Sequence, residues 1–402
     1  MQTSLTEPFK NSDAGQEAER ILRACVHCGF CTATCPTYRL LGDELDGPRG
    51  RIYLIKQVLE GHQVTAKTQA HLDRCLTCRA CESTCPSGVQ YGRLVEIGRH
   101  VVEQRVGRPW REQFIHGALR ALVPYTARFG ALLNLGRALK PLLPKSLAQK
   151  IPARQHSKPW PEQSHRRKML VLDGCVQPVT APNTNAAAAR VLDRLNIQLI
   201  RATGAGCCGA VNQHLSARDQ AFDDMRRNID AWWPHIDAGA EAIVMTASGC
   251  GIIVKDYGEL LKHDAVYAEK ARRVADLTRD ISEILAAEDL SALRNATRGI
   301  KVAFHAPCTL QHGQQLKHLV EKILRGAGYI LTPVDDSHLC CGSAGTYSVL
   351  QPRLSGQLLD NKLQSLSAGM PDYIATANIG CQLHMATKAN VPVKAWIELL
   401  DR

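Results

Sequence analysis

The sequence predicts an α+β protein in three parts: a helical N-terminal domain, a basic helical connector, and two repeated α/β units with mainly parallel strands. Three observations predict it. One cysteine phrase is written twice, CVHCGFCTATCP from Cys25 to Pro36 and CLTCRACESTCP from Cys75 to Pro86. The patterning changes at Lys168, from basic and helical to short apolar runs alternating with helical stretches. One spacing also recurs, since Cys175 to Cys207 and Cys308 to Cys340 are both 32 residues apart. The expected divisions are residues 1–100, 101–167, 168–299 and 300–402.

Both phrases read C-x2-C-x2-C-x3-C-P, the run that holds 4Fe–4S clusters in bacterial two-cluster ferredoxins. Three cysteines two residues apart wrap a short loop around three corners of a cubane. The fourth, before proline, points away and ligates the other cluster. The spacing therefore predicts one cluster on Cys25, Cys28, Cys31 and Cys85, and a second on Cys35, Cys75, Cys78 and Cys81. Four-cysteine zinc is the rival reading, but zinc knuckles pair two C-x2-C units and have no use for a third cysteine two residues on. Two adjacent cubanes make a short path for single electrons.

All sixteen cysteines fall in tight groups. In a chain of 402 residues whose start, MQTSLTEPFKNSDAGQEAER, has no apolar export segment, that grouping indicates metal chemistry in a reducing cytoplasm. No run is long and apolar enough to span a membrane, so a soluble or peripheral protein is expected. The formal net charge is +11, with much of the surplus between residues 99 and 168. Two oxidised clusters with their thiolates would remove about four units. No recognition helix, zinc finger or aromatic-rich sheet motif accompanies the charge, and aromatics are 5% of residues, which argues against nucleic acid. A basic surface that docks an acidic partner or an anionic membrane explains it better.

Residues 15–24 read as a helix entering the first cysteine loop. RGRIYLIKQVLEG, Arg49 to Gly61, places Ile52, Tyr53, Ile55 and Leu59 at helical spacing with Gly61 as its cap. Thr65 to Arg74 reads as a second helix entering the second loop. ALLNLGRALKPLLPK, Ala131 to Lys145, is apolar on one side and basic elsewhere, the pattern of a helix packed on its own domain or a partner, or lying on a membrane. Residues 145–167 are polar, basic and proline-rich, as in a linker.

Beyond Lys168, KMLVLDGC, IQLIRAT and EAIVMTASGC read as strands, with TNAAAARVLDRLN a helix between the first two. IKVAFHAPC, YILTPVDD and DYIATANIGC repeat the pattern, with a helix expected from Gln314 to Arg325. Two copies of one unit, facing each other across a pseudo-twofold axis, are the simplest account. Each copy delivers cysteines near strand ends: Cys175, Cys207, Cys208 and Cys250, then Cys308, Cys340, Cys341 and Cys381. They form either a further metal or redox site or a set of buried small side chains. His305 and His338 are candidate ligands or proton donors, against the commoner buried, hydrogen-bonded histidine. Arg49 and Arg51 would either bond cluster sulfurs or pair with Asp43, Glu44 and Asp46. No Ser-His-Asp pattern, Walker loop or GxGxxG follows a strand, so hydride chemistry falls to another subunit and no catalytic residue is expected here.

The repeated phrase resembles the cysteine-rich domain of heterodisulfide reductase B subunits. That family ends its motif in C-x2-C and places five thiolates on a non-cubane cluster, whereas here Cys250 and Cys381 lack the final partner. Over nearly its whole length the chain resembles the iron–sulfur subunits of bacterial glycolate oxidases, through ILRACVHCGFCTATCPTYRLLGDELDGPRGRIYLIKQVLEG, HLDRCLTCRACESTCPSGVQYG, AGCCGAV, NIDAWWP, TASGCG and SHLCCGSAGTY. The resemblance implies electron transfer in a complex with an FAD-bearing subunit and a second flavoprotein-family subunit that oxidise glycolate to glyoxylate. It also implies cytoplasmic placement, peripheral on the inner membrane, and delivery toward the respiratory chain with quinone as one acceptor. Cluster subunits of glycerol-3-phosphate or lactate enzymes share the layout, and a metal-stabilised scaffold without electron traffic is the alternative of another class.

Overall fold

The computed structural model describes residues 1–144, 148–293 and 299–401. The start of the expected linker, 145–147, and the end of the first repeat, 294–298, lie outside the described residues. In the N-terminal part the helix Asp13–Ala24 begins where Ser12 Oγ accepts the Gly15 N–H at 3.1 Å, and it buries Ala18, Ile21 and Leu22. The helix Pro48–Leu59 starts on proline, whose missing N–H costs nothing at that position. It buries Ile52, Ile55, Val58 and Leu59 and leaves Tyr53 exposed, because the residue one step from Ile52 turns about 100° off the buried face. Glu60 closes this helix, and Gly61 takes the left-handed conformation just beyond it. Ala66–Asp73 and Tyr91–Val106 complete a small helical core around the cysteine loops.

The connector folds into two further helices, Trp110–Leu122 and Thr126–Leu139. Leu132, Leu135 and Leu139 are exposed, so most of the apolar side of the second is left uncovered by its own chain. Residues 152–165 carry no helix or strand, as their prolines and polar residues predict.

The remainder is two four-stranded parallel sheets. In the first, β1 (Arg167–Val171), β2 (Ile197–Arg201), β3 (Ile243–Met245) and β4 (Thr278–Asp280) lie in the order β2-β1-β3-β4. In the second, β5 (Lys301–His305), β6 (Ile330–Leu331), β7 (Tyr373–Thr376) and β8 (Val393–Ala395) lie in the order β6-β5-β7-β8. The shared order is the repeat expected from the cysteine spacing. Alternation along β1 places its side chains: Met169 and Val171 enter a core shared with Val302 and Phe304 of β5, while Leu170 faces Met225, Trp232 and Tyr257 on the other side. The two units thus face each other over one apolar layer, and the Ser248 N–H donates to the Ala377 carbonyl across the junction at 2.9 Å. The helix expected from Gln314 starts only at Leu319, because residues 309–313 form a wider turn first. The strand expected in YILTPVDD shortens to Ile330–Leu331, at the edge where Ile330 is exposed.

Candidate metal centres

Each cysteine loop takes the same backbone path. His27 and Gly29 after Cys25, and Thr77 and Arg79 after Cys75, have positive φ of 57°, 86°, 51° and 58°. These reversals curl the loop and turn its N–H groups inward, so the Thr77 N–H donates to Cys75 Sγ at 3.3 Å. One helical turn contains the third cysteine in each loop, Phe30–Ala33 and Ala80–Ser83, and carries the chain to Cys35 or Cys85. The turns pair through Thr34 Oγ1 and Thr84 Oγ1 at 2.9 Å, and Thr34 Oγ1 also donates to the Ala80 carbonyl at 3.3 Å. That pairing carries each fourth cysteine across to the opposite loop. Cys25, Cys28, Cys31 and Cys85 line one cavity, which Cys81 also edges. Cys35, Cys75, Cys78 and Cys81 line the other.

The two cavities differ in electrostatics. Cys28 is exposed, flanked by Val26 at 67% and Phe30 at 63% exposure, so the first cavity opens to the surface. The second lies inside. Its wall holds Arg51, 1% exposed, whose Nε donates to the His71 carbonyl at 2.7 Å and whose Nη1 donates to Thr37 Oγ1 at 3.1 Å. Burial pushes the Cys75 thiol up, but Arg51, Arg99, the Thr77 N–H and the Tyr91 hydroxyl outweigh it and hold the thiol below its ordinary range. Burial and crowding by neighbouring thiols push Cys78 and Cys81 well above it, and Cys31 in the first cavity to about 11. Four thiols gathered in a dry cavity cannot all ionise alone. A cationic iron core removes that conflict, so this donor set fits the cluster.

Both arginines near the loops make the ion pairs weighed from sequence, Arg49 with Glu44 at 2.6 Å and Arg51 with Asp46 at 3.4 Å. Arg51 also faces Cys35 and Cys75. Tyr91, Arg99 and Thr37 are parts of the site that sequence reasoning missed, since nothing in their local sequence marks them.

In the repeats, the cysteines sit beyond the C-terminal strand ends, where the order reverses between β1 and β3 and between β5 and β7. The first set forms a row of free thiols in which Cys207 lies beside Cys175 and Cys208, and Cys208 beside Cys250, close enough to act on one another electrostatically. The second repeats it: Cys308 lies 4.0 Å from Cys340, Cys340 adjoins Cys341 in the chain, and the Cys341 and Cys381 Sγ atoms lie within 4.8 Å of each other. Gly209 and Gly342 follow the cysteine pairs at φ of 90° and 86°. A Cβ at Gly342 would stand 2.6 Å from the Ser355 carbonyl oxygen, and one at Gly209 3.0 Å from that of Ala221. Only glycine fits the tight turn that brings the thiols together. The positions of the missing last cysteines hold Ile253, buried in core, and His384, whose Nε2 lies 3.1 Å from Ser355 Oγ. His338 does not reach the thiols and sits 4.0 Å from Asp336. His305 does reach them, and it is not the hydrogen-bonded core histidine that is the commoner case.

The second repeat also abuts the inner cavity. Leu76 and Cys78 pack with Cys308, Cys340 and Tyr347, and the Tyr347 hydroxyl donates to the Arg74 carbonyl at 3.1 Å. Cys308 and Cys340 lie close enough to Cys78 to act on it electrostatically. The first repeat meets the same loop through polar contacts, with Arg79 Nη2 2.8 Å from Asp256.

Fold and donor sets define the class: an iron–sulfur protein with two 4Fe–4S clusters and a repeated cysteine-rich domain. Residues 21–89 match the 4Fe-4S dicluster domain family, and residues 169–255 and 302–386 each match the cysteine-rich domain family. The chain is 58% identical to the glycolate oxidase iron-sulfur subunit of Escherichia coli (strain K12), over 100% of this chain and 99% of that protein. It is 29% identical to the probable glycolate oxidase iron-sulfur subunit of Bacillus subtilis (strain 168), over 90% of this chain and 87% of that protein. Lactate utilization protein A of Bacillus licheniformis is 27% identical over 54% of this chain and 90% of its own length. The chain belongs to the family of glycolate oxidase iron–sulfur subunits.

Proposed function

We propose that this chain relays electrons one at a time from a flavin-bearing subunit that oxidises glycolate to glyoxylate toward a respiratory-chain acceptor. The observation that carries the reading is the pair of adjoining cavities, each lined by three cysteines of one loop and a fourth-position cysteine of the other, with Cys81 at the edge of both. In this reading Cys25, Cys28, Cys31 and Cys85 hold one cluster, and Cys35, Cys75, Cys78 and Cys81 the second. Bound clusters supply single-electron storage at two neighbouring points. The protein sets their surroundings. Arg51 and Arg99 place positive charge beside the inner site, which favours its reduced state, while the open outer site exposes Cys28 between Val26 and Phe30 for a donor to approach.

Glycolate as the partner's substrate is supported by the family and by full-length likeness to the Escherichia coli protein. FAD belongs to that partner in this reading, with a second flavoprotein-family subunit beside it. Among the described residues no helix is long and apolar enough to cross a membrane. The exposed Trp110, at 72%, and Phe114, at 73%, together with Leu132, Leu135 and Leu139 and the arginines among them, support a peripheral docking face on the partner complex or the cytoplasmic side of the inner membrane.

The test is anaerobic purification with the native partners, followed by iron, sulfide and flavin analysis. About eight irons and eight sulfides per chain in the ferredoxin loops, and a coupled paramagnetic signal on dithionite reduction, are expected. Zinc with no reducible centre would leave only the scaffold reading.

A further inference from the structure

Pro48, Cys81 and Tyr91 line both cysteine cavities, so they form the wall between the two cluster sites. Tyr91 alone among them brings a hydroxyl. It is 3% exposed, and that hydroxyl donates to Cys75 Sγ at 3.6 Å, a hydrogen-bonding distance for an atom as large as sulfur. A buried phenol needs a partner, and here the partner is a cysteine sulfur of the inner cavity. The local fold fixes the ring there. Tyr91 opens the helix Tyr91–Val106, and the Gly92 N–H donates to Glu82 Oε1 at 2.5 Å, tying the helix start to the turn that contains Cys81. Leu94 and Val95, fully buried just beyond, anchor the same end of the helix in the core around the loops.

The outer cavity has no counterpart. Cys25 and Cys75 are 50 residues apart, and counting on from each the place of Tyr91 falls to Leu41, which has no donor and is 39% exposed. Among the described residues the outer thiols receive backbone groups, such as the Val89 N–H donating to Cys85 Sγ at 3.5 Å, and no side-chain hydroxyl. A hydrogen bond to a ligand sulfur strengthens as negative charge accumulates there, so it favours the reduced state of the cluster it touches. A donor present at one site and missing at the other separates the two potentials.

We propose that Tyr91 is a positioning residue that acts through Cys75: its hydroxyl raises the potential of the inner cluster, so that an electron reaching the open outer site passes inward. The outer site is reoxidised as the inner one is reduced. Tyr91 keeps its proton throughout, and an electron alone moves. The proposal rests on the two-cluster reading above.

The test is a redox titration followed by paramagnetic resonance, on the full chain purified anaerobically with its partners. Tyr91→Phe deletes one oxygen and keeps the ring. Its inner cluster should be harder to reduce by roughly three- to tenfold in the one-electron equilibrium constant, about 30–60 mV. The outer potential, the roughly eight irons and the coupled signal should persist. Cys28→Ser, which alters the outer cluster, assigns the two potentials. Tyr329→Phe deletes another buried hydroxyl, which donates to the Leu399 carbonyl at 2.7 Å in the core between the repeats, and should move neither potential. A native chain without two reducible clusters would overturn this proposal together with the two-cluster reading. Two intact clusters with unchanged potentials in Tyr91→Phe, an equal shift of both, iron loss in that variant, or the same shift in Tyr329→Phe would overturn this one alone.

Discussion

Arg51 shows how much one side chain settles around the inner cavity. Its guanidinium neutralises the buried Asp46, supports the first-turn contact at Thr37, and faces the thiols of Cys35 and Cys75. Replacing it by methionine keeps the bulk but takes the buried donors from the His71 carbonyl and Thr37 Oγ1 and removes a positive charge, while Asp46 keeps Arg74 at 2.8 Å and His71 at 3.0 Å. The fold should lose about 3 kcal/mol, and the second cluster should titrate at a more negative potential, while Arg51→Lys falls between. Denaturant unfolding and redox titration read the two effects, and an unchanged potential in folded Arg51→Met would detach Arg51 from the cluster. Cys28 offers the complementary test at the open cavity. Cys28→Ser should convert or lose one cluster and stop electron delivery to the proposed acceptor, while dye reduction by the proposed flavin partner survives. Full respiratory activity in that variant would contradict the ligand assignment.

Among the local elements, the cysteine-pair turns have the least tolerance. Gly342 faces the Ser355 carbonyl more closely than Gly209 faces that of Ala221, so Gly342→Ala should cost more stability than Gly209→Ala. About 2–3 kcal/mol against about 1–2 kcal/mol is the expected ranking by thermal unfolding, and the reverse order would mean the turns do not hold the backbone described. The surrounding helices were legible in the sequence because their signals are local. Ile52, Ile55 and Leu59 mark a face, although the helices start at Asp13 and Pro48, just ahead of the expected residue 15 and Arg49. The Gln314 start failed because the chain leaves the wider turn at 309–313, which brings Leu310 and His312 inward, through positive φ of 59° at Gln315 and 63° at His318, which a helix does not admit. Ile330 looks like strand core by composition, yet an edge position leaves it exposed.

For the whole molecule, the ferredoxin-type loops are clamped between the two repeats. Arg79 and Asp256 hold one side through a part-buried ion pair. Asp256→Asn leaves that arginine without its partner and should weaken the docking by about 2 kcal/mol, seen as faster proteolysis near Arg79 with the repeats still folded. Removing iron should act on the same junction. The loops at 25–35 and 75–85 contain only single helical turns of their own, so chelation should open residues 21–89 to protease or hydrogen exchange before the sheets respond. Simultaneous loss of both parts would show that the clusters stabilise the entire chain.

The amino-acid sequence by itself determined the two cysteine loops, the repeat and the strand-end placement of the later cysteines. The loops and strand ends rest on spacings of a few residues, where covalent geometry limits what the residues can do, and the repeat rests on one 32-residue spacing written twice. Tertiary structure alone decided which thiols share a cavity wall with Arg51, why His305 and not His338 meets sulfur, and that Cys78 stands against Cys308. Those neighbours lie tens to hundreds of residues apart in sequence. Packing of the folded layers, which no local pattern encodes, is what brings them together.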